Sequence, residues 1–90
     1  MLLVTVPHHV PIGPELDLHS FAPRDIPDVV DAYLQEAHAL GLRAVRLVHG
    51  RGIGVQRARV QQVLRDHPLV ASYHDDPRSH LGATSVSLIA

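Results

Sequence analysis

Two short clusters in this 90-residue chain carry residue types able to do chemistry. In the first, Glu15, Asp17 and His19 alternate with Leu16 and Leu18, so on an extended strand the three polar side chains share one face about 7 Å apart. A carboxylate beside an imidazole can orient it, raise its pKa or share a metal ion with it. The competing interpretation is an ordinary polar face turned to solvent. In the second cluster, His49, Gly50, Arg51, Gly52 and Gly54 form a loop ahead of a helical segment. Alternate glycines let the backbone turn sharply, and a helix N-terminus offers free N–H groups and a positive dipole end, together a ready anion site. Arg51 lies in the loop, and Arg57 and Arg59 lie on the first turns of the helix. It is not a Walker loop, and by itself it is equally a tight strand-to-helix turn that needs positive φ.

Charge distribution bears on the choice. The chain has eight basic residues, all Arg, against nine acids, a net charge of −1 that by itself gives no sign of a polyanion partner. Divided by segment the picture changes: from Arg43 to Arg65 there are six Arg and no acid, whereas from Glu15 to Glu36 there are six acids and one Arg. A run of guanidinium groups over a strand, a glycine loop and a helix is what phosphate recognition requires, although a solvated helix face would look the same. The other histidines carry less. His8 and His9 sit in a proline-rich arm, and His38, His67, His74 and His80 lack metal-ligand spacing. With no cysteine, disulfides, thiolate zinc sites and a cysteine nucleophile are excluded.

The elements that must position these residues follow from periodicity. Leu2 to Val6 is β-prone, and the prolines at 7, 11 and 14 make residues 1–14 an arm leading into a single domain over residues 15–90. Glu15 to His19 reads as a half-buried strand. Asp25 can N-cap a helix whose stripe is Ile26, Val29, Val30, Tyr33, Leu34, Ala37 and Leu40, with Gly41 as its stop. Arg43 to His49 is a strand; Val55 to His67 is a helix with Val60, Val63 and Leu64 inward. Val70 to His74 and Thr84 to Ile89 are strands joined by a polar turn. The expected fold is α/β, a two-layer sandwich of order β-α-β-α-β-β, with a four-stranded mixed sheet and two helices on one face. No apolar run approaches a membrane span or a signal peptide, so the chain reads as soluble and cytoplasmic.

These residues resemble a known family. Leu16-Asp17-Leu18-His19 is similar to the LDxH motif, and His49-Gly50-Arg51-Gly52 to the HGxG motif, of the small MutS-related (Smr) domain. HPLV at His67 to Val70 and the closing Gly82-Ala83-Thr84-x-Val86-x-Leu88 also match, so the resemblance spans about Glu15 to Ile89. It implies a fold like the C-terminal domain of bacterial translation initiation factor three, and nucleic-acid binding with nicking or endonuclease activity, in DNA repair or RNA processing. Asp17 and His19 would then serve cleavage, and His49, Gly50 and Gly52 the phosphate-binding turn. Ser20 replaces the usual Gly after LDxH, Arg51 stands where Lys is common, and SHLGAT replaces a glycine-richer GGxGAT. Lacking the MutS-type or pentatricopeptide domains that accompany many Smr domains, the chain reads as a free-standing bacterial member.

The functional expectation is a small phosphodiesterase acting on DNA or RNA. Asp17, His19 and His49 are its catalytic candidates, and Gly50, Arg51, Gly52, Gly54, Arg57 and Arg59 its phosphate-binding ones. Asp17 with Glu15 could hold Mg²⁺ or Mn²⁺, leaving water as nucleophile. Alternatively, His19 and His49 do acid-base work on RNA without metal. A non-catalytic module for branched DNA, structured RNA or ribosomes would need the Arg residues and glycine loop but not Asp17.

Overall fold

The apolar spacing from Ile26 to Ala37 produces a helix, α1 (Ile26–Ala39), that buries Ile26, Val29, Val30, Tyr33, Leu34 and Ala37 on one stripe. The computed structural model describes residues 12–52 and 54–90; the Leu2 to Val6 run, His8, His9 and the rest of the chain up to Pro11 lie outside them. Two details of α1 differ from the expectation. Asp25 makes no side-chain cap hydrogen bond, because Pro23–Asp25 already forms a 3-10 turn and Asp25 itself is helical (φ −88°, ψ −13°), not extended as a capping residue is. Leu40 is exposed rather than part of the stripe, since it is the residue on which the helix ends. Gly41 then takes φ +87°, and its N–H and that of Leu42 close onto the carbonyls of His38 and Ala37.

The remaining elements are β1 (Glu15–Asp17), β2 (Ala44–Val48), α2 (Val55–Asp66), β3 (Val70–Asp75) and β4 (Ala83–Leu88). They form one four-stranded sheet in the order β1-β2-β4-β3. β1 pairs parallel with β2, and β4 runs antiparallel to both β2 and β3. The last strand thus inserts between two strands that are parallel to each other but not adjacent. The C-terminal ends of β1, β2 and β3 therefore meet at one edge, together with the turn that enters β4. β3, at the sheet's border, carries a bulge between Val70 and Ser72.

One face of the sheet supplies Leu16, Leu18, Val45, Leu47, Val86 and Leu88 to the core, where they meet the α1 stripe and Val60 and Leu64 of α2. Both helices therefore cover the same face. Fully burying side chains of this kind contributes about 1.5–3 kcal/mol each. The opposite face bears Glu15, Asp17, Arg46 and Ser87 toward solvent. β1 is fastened at its start: the Tyr33 hydroxyl, on a fully buried ring, donates to the Gly13 carbonyl, and Arg46 N–H donates to the Pro14 carbonyl at 2.8 Å. Burial, with Glu15's charge in the same direction, pushes the Tyr33 phenol up to about 12, so it remains a donor through the physiological range.

The turn into β4 contains His80 and Leu81, at φ 50° and 70°, the two non-glycine residues with positive φ among the described residues. The left-handed region costs a side-chain-bearing residue roughly 1–2 kcal/mol, and glycine avoids that cost at some expense in chain entropy. This gives the glycine-poor SHLGAT a physical meaning. Leu81→Gly, which removes a largely exposed side chain, should raise stability by about 0.5–1 kcal/mol in urea unfolding.

Candidate functional site

Asp17 ends β1, and the chain turns so that His19 folds back on it. The His19 amide donates to Asp17 Oδ1 at 3.0 Å, and His19 Nδ1 lies 2.8 Å from the same oxygen. These two hydrogen bonds hold the Asp17 carboxyl below its ordinary range, against a small opposing effect of burial. An ionised carboxylate accepts only, so Nδ1 carries a proton, and Nε2 is the ring nitrogen left for a ligand. Both side chains are open to solvent, at 78% for His19 and 53% for Asp17.

His49 follows β2 at the same edge but faces the other side of the sheet. It is buried, with Nδ1 3.0 Å from the Gly50 carbonyl and Nε2 2.9 Å from Thr84 Oγ1. A carbonyl only accepts, so the neutral ring keeps its proton on Nδ1 and receives the Thr84 hydroxyl at Nε2. Both ring nitrogens are engaged, and no hydrogen bond links His49 with His19. The geometry makes His49 a holder of the glycine loop.

The loop after His49 requires its glycines for backbone conformation rather than for space. Gly50, Gly52 and Gly54 have φ of 82°, 43° and 86°, while a Cβ at any of them would meet nothing within 4 Å. The amides of His49 and Gly50 both donate to the Gly82 carbonyl, at 3.0 and 2.9 Å, which fastens the loop to the turn before β4. Gly54 is the N-cap of α2 and has no side chain to satisfy the first helical amides. The result is a shallow pocket of about 230 Å³ lined by His49, Gly50, Arg51, Gly52, Gly54 and Gln56.

The basic run is not uniformly available. Arg57 donates from Nε and Nη2 to the two oxygens of Asp75, both at 2.7 Å, and is thereby committed within the domain. The sequence placed Arg57 among the phosphate-binding candidates; the structure places its guanidinium on Asp75. Gln61 Nε2 completes this cluster by donating to Asp75 at 3.0 Å and to Thr84 at 3.2 Å. Arg46 bridges Glu15 and the buried Asp76 on the opposite face. Arg51 and Arg59 form no ion pair with any described residue, leaving them as cations near the loop.

The metal expectation does not fit the donor set. Glu15 is paired with Arg46 at 2.7 Å, so the Glu15 and Asp17 carboxylates do not stand as a free pair. Among the described residues no group of three or more His, Asp or Glu could hold a metal ion. No helix among them is long and apolar enough to cross a membrane.

Gln61, Asp75 and Asp76 are structural partners that the motifs did not include, and Thr84, part of the closing Gly82-Ala83-Thr84 match, had no role assigned to it there. Thr84 alone left a signal, as a hydroxyl on the otherwise apolar face of the last strand. His67, too, is structural: its Nδ1 accepts the Leu69 amide at 3.1 Å and Nε2 lies 2.7 Å from Asp31, joining the end of α2 to α1.

Mixed sheet, two helices on one face and a glycine loop opening a helix beside an exposed carboxylate–histidine pair together define a class of small α/β domain. The Smr domain family model matches residues 16–89, and the chain belongs to the Smr domain family, as its motifs indicated. It is 36% identical to Endonuclease MutS2 of Thermomicrobium roseum over 97% of its own length and 10% of that protein. With Endonuclease MutS2 of Thermus thermophilus it shares 37% identity over 84% of this chain and 10% of that one. The chain thus spans about a tenth of the length of these relatives. The crystal structure of the Smr domain of Thermus thermophilus MutS2 superposes with a TM-score of 0.79 at 36% identity, covering 87% of this chain and 100% of that domain. YdaL, a stand-alone small MutS-related protein from Escherichia coli, gives 0.78 at 27% identity, covering 86% of this chain and 65% of YdaL.

Two outcomes test this geometry. Thr84→Val leaves His49 Nε2 and Gln61 without their shared partner and should cost about 1–3 kcal/mol in urea unfolding. Acid sensitivity is the second. Arg57, then Gln61, hold Asp75 below its ordinary range, and Arg78 and then Arg46 hold Asp76 still lower. Depressed folded-state values contribute stability that is full above about pH 4–5 and is lost as pH falls through them. Asp76→Asn should therefore flatten the decline of stability below about pH 4 while lowering stability at pH 7, as followed by thermal melts across pH.

Proposed function

We propose that this Smr domain binds nucleic acid through the glycine loop and cleaves phosphodiester bonds by acid-base chemistry at His19. The observation that carries the proposal is the Asp17–His19 pair standing exposed at the sheet edge from which the glycine loop also emerges. A phosphate would rest on the Gly52 amide and the free amides at the start of α2, with Arg51 and Arg59 supplying charge. Asp17 fixes the His19 ring with Nε2 outward. That nitrogen takes the proton from the attacking oxygen, a 2′-hydroxyl on RNA or a water on DNA, as it bonds to phosphorus; the ester P–O bond opposite breaks, and the leaving oxygen takes its proton from solvent. The relation to Endonuclease MutS2 proteins supports this reading.

A nucleophile supplied by the substrate or solvent, with an imidazole as base, does not require the Glu15–Asp17 metal site that the donor set disfavours. Mg²⁺ or Mn²⁺ could still accompany the substrate's phosphates, and the two routes separate on RNA. Cleavage that persists in EDTA and leaves cyclic phosphate ends is the expected result.

Wild type, Asp17→Asn and His19→Ala should be incubated with supercoiled plasmid and with structured RNA, with and without Mg²⁺. Cleavage by wild type, reduced about 10²-fold or more in His19→Ala and less in Asp17→Asn, is expected for a lost base and a lost orienting group. Equal trace cleavage by all three would instead leave a binding module. Arg51→Ala should weaken binding across all sequences and lower the salt slope by about one, as loss of a phosphate contact does.

A further inference from the structure

The face of the sheet opposite the helices carries a groove of about 300 Å³ whose lining includes Arg46, His74, Arg78, Ser85 and Ser87. Register places Glu15, Arg46, Ser85 and His74 in one row across the four strands, two residues from the row of Asp17 and Val48. That separation is about 7 Å. The groove therefore begins one row, about 7 Å, from Asp17 and runs down the open face toward Pro14, Ala44 and Ser87.

Its charges differ in what they show to solvent. The Asp76 side chain is 1% exposed and is spent on Arg46, Arg78 and the Arg78 amide, the last at 2.8 Å. Arg78 is 79% exposed, and its side-chain contacts with Asp76 are long, at 3.2 and 3.3 Å. One carboxylate thus anchors the backbone of Arg78 while leaving an edge of its guanidinium free. The Ser85 and Ser87 hydroxyls and the His74 ring make no hydrogen bond with any described residue. Apart from His74 the groove has no aromatic side chain, so it suits sugar and phosphate oxygens rather than stacked bases.

We propose that this groove continues the polynucleotide path, with Arg78 as a second phosphate contact. It rests on the function proposed above. A strand whose phosphate lies on the glycine loop and whose bond faces His19 passes over the sheet edge onto the helix-free face. There Arg78 meets a further phosphate, and His74, Ser85 and Ser87 meet neighbouring oxygens. The site has a length requirement: a fragment that fills only the glycine loop does not reach Arg78.

Binding of single-stranded oligonucleotides of about three and about twelve nucleotides, in DNA and RNA form, tests this by fluorescence anisotropy over a salt series. Arg78→Ala should weaken the longer probe about tenfold and lower its salt slope by about one, with the shorter probe changed less than about twofold. Ser87→Glu, which sets a negative charge in the groove, should act in the same selective way. Arg51→Ala should weaken both lengths. If Arg78→Ala and Ser87→Glu affect both lengths alike, or neither, while Arg51→Ala still weakens binding, the groove proposal is overturned and the glycine-loop function stands. If wild type binds neither probe, the function itself falls, and the groove with it.

Discussion

The carbonyl of Gly82 accepts the amide protons of both His49 and Gly50, and the arrangement of the site depends on this one atom. It exists where it does because β4 inserts between β2 and β3, which brings the turn entering β4 against the loop leaving β2. The carbonyl fixes the first residues of the glycine loop from behind. Thr84, two residues on, holds the His49 ring by its side chain. The loop is thus set from a turn and strand more than thirty residues away in sequence. The anion site proposed at this loop would incur little further ordering cost on binding.

The same topology divides the ionic interactions into two groups on opposite faces. On the helix side, Asp75 takes the fork of Arg57 and a bond from Gln61, stiffening the start of α2. On the open side, Asp76 gathers Arg46 and Arg78. Adjacent residues in a strand project to opposite faces, so two consecutive aspartates serve two separate networks. Much of the basic run is thereby used to bind the domain together, and the charges that remain outward are few and placed at particular points around the edge.

What was legible in the sequence was whatever rests on local periodicity. The α1 stripe from Ile26 to Ala37 and the inward Leu16 and Leu18 follow from spacing of two to four residues, and the structure shows each; Asp17 and His19 touch instead because β1 stops at Asp17 rather than running on to His19, and the chain turns back. The glycine loop was equally visible, since positive φ at alternate positions leaves glycine as the natural choice. Less visible were contacts made across the fold. Arg57 read as a free cation because Asp75 lies on another element, and the bond between His49 and Thr84 was hidden because 35 residues separate them. Asp25 misled in another way: its type suits a cap, but the proline-led turn before it had already begun the helix.

The borders of the sheet have a consequence for solubility. β1 is only three residues long, and β3 is broken by its bulge soon after it starts. Neither offers the long, flat row of unpaired backbone groups on which a second sheet could grow. A small domain with a bare polar face would otherwise invite edge-to-edge association. Here that face can stay open to a ligand because the strands beside it make poor templates for aggregation.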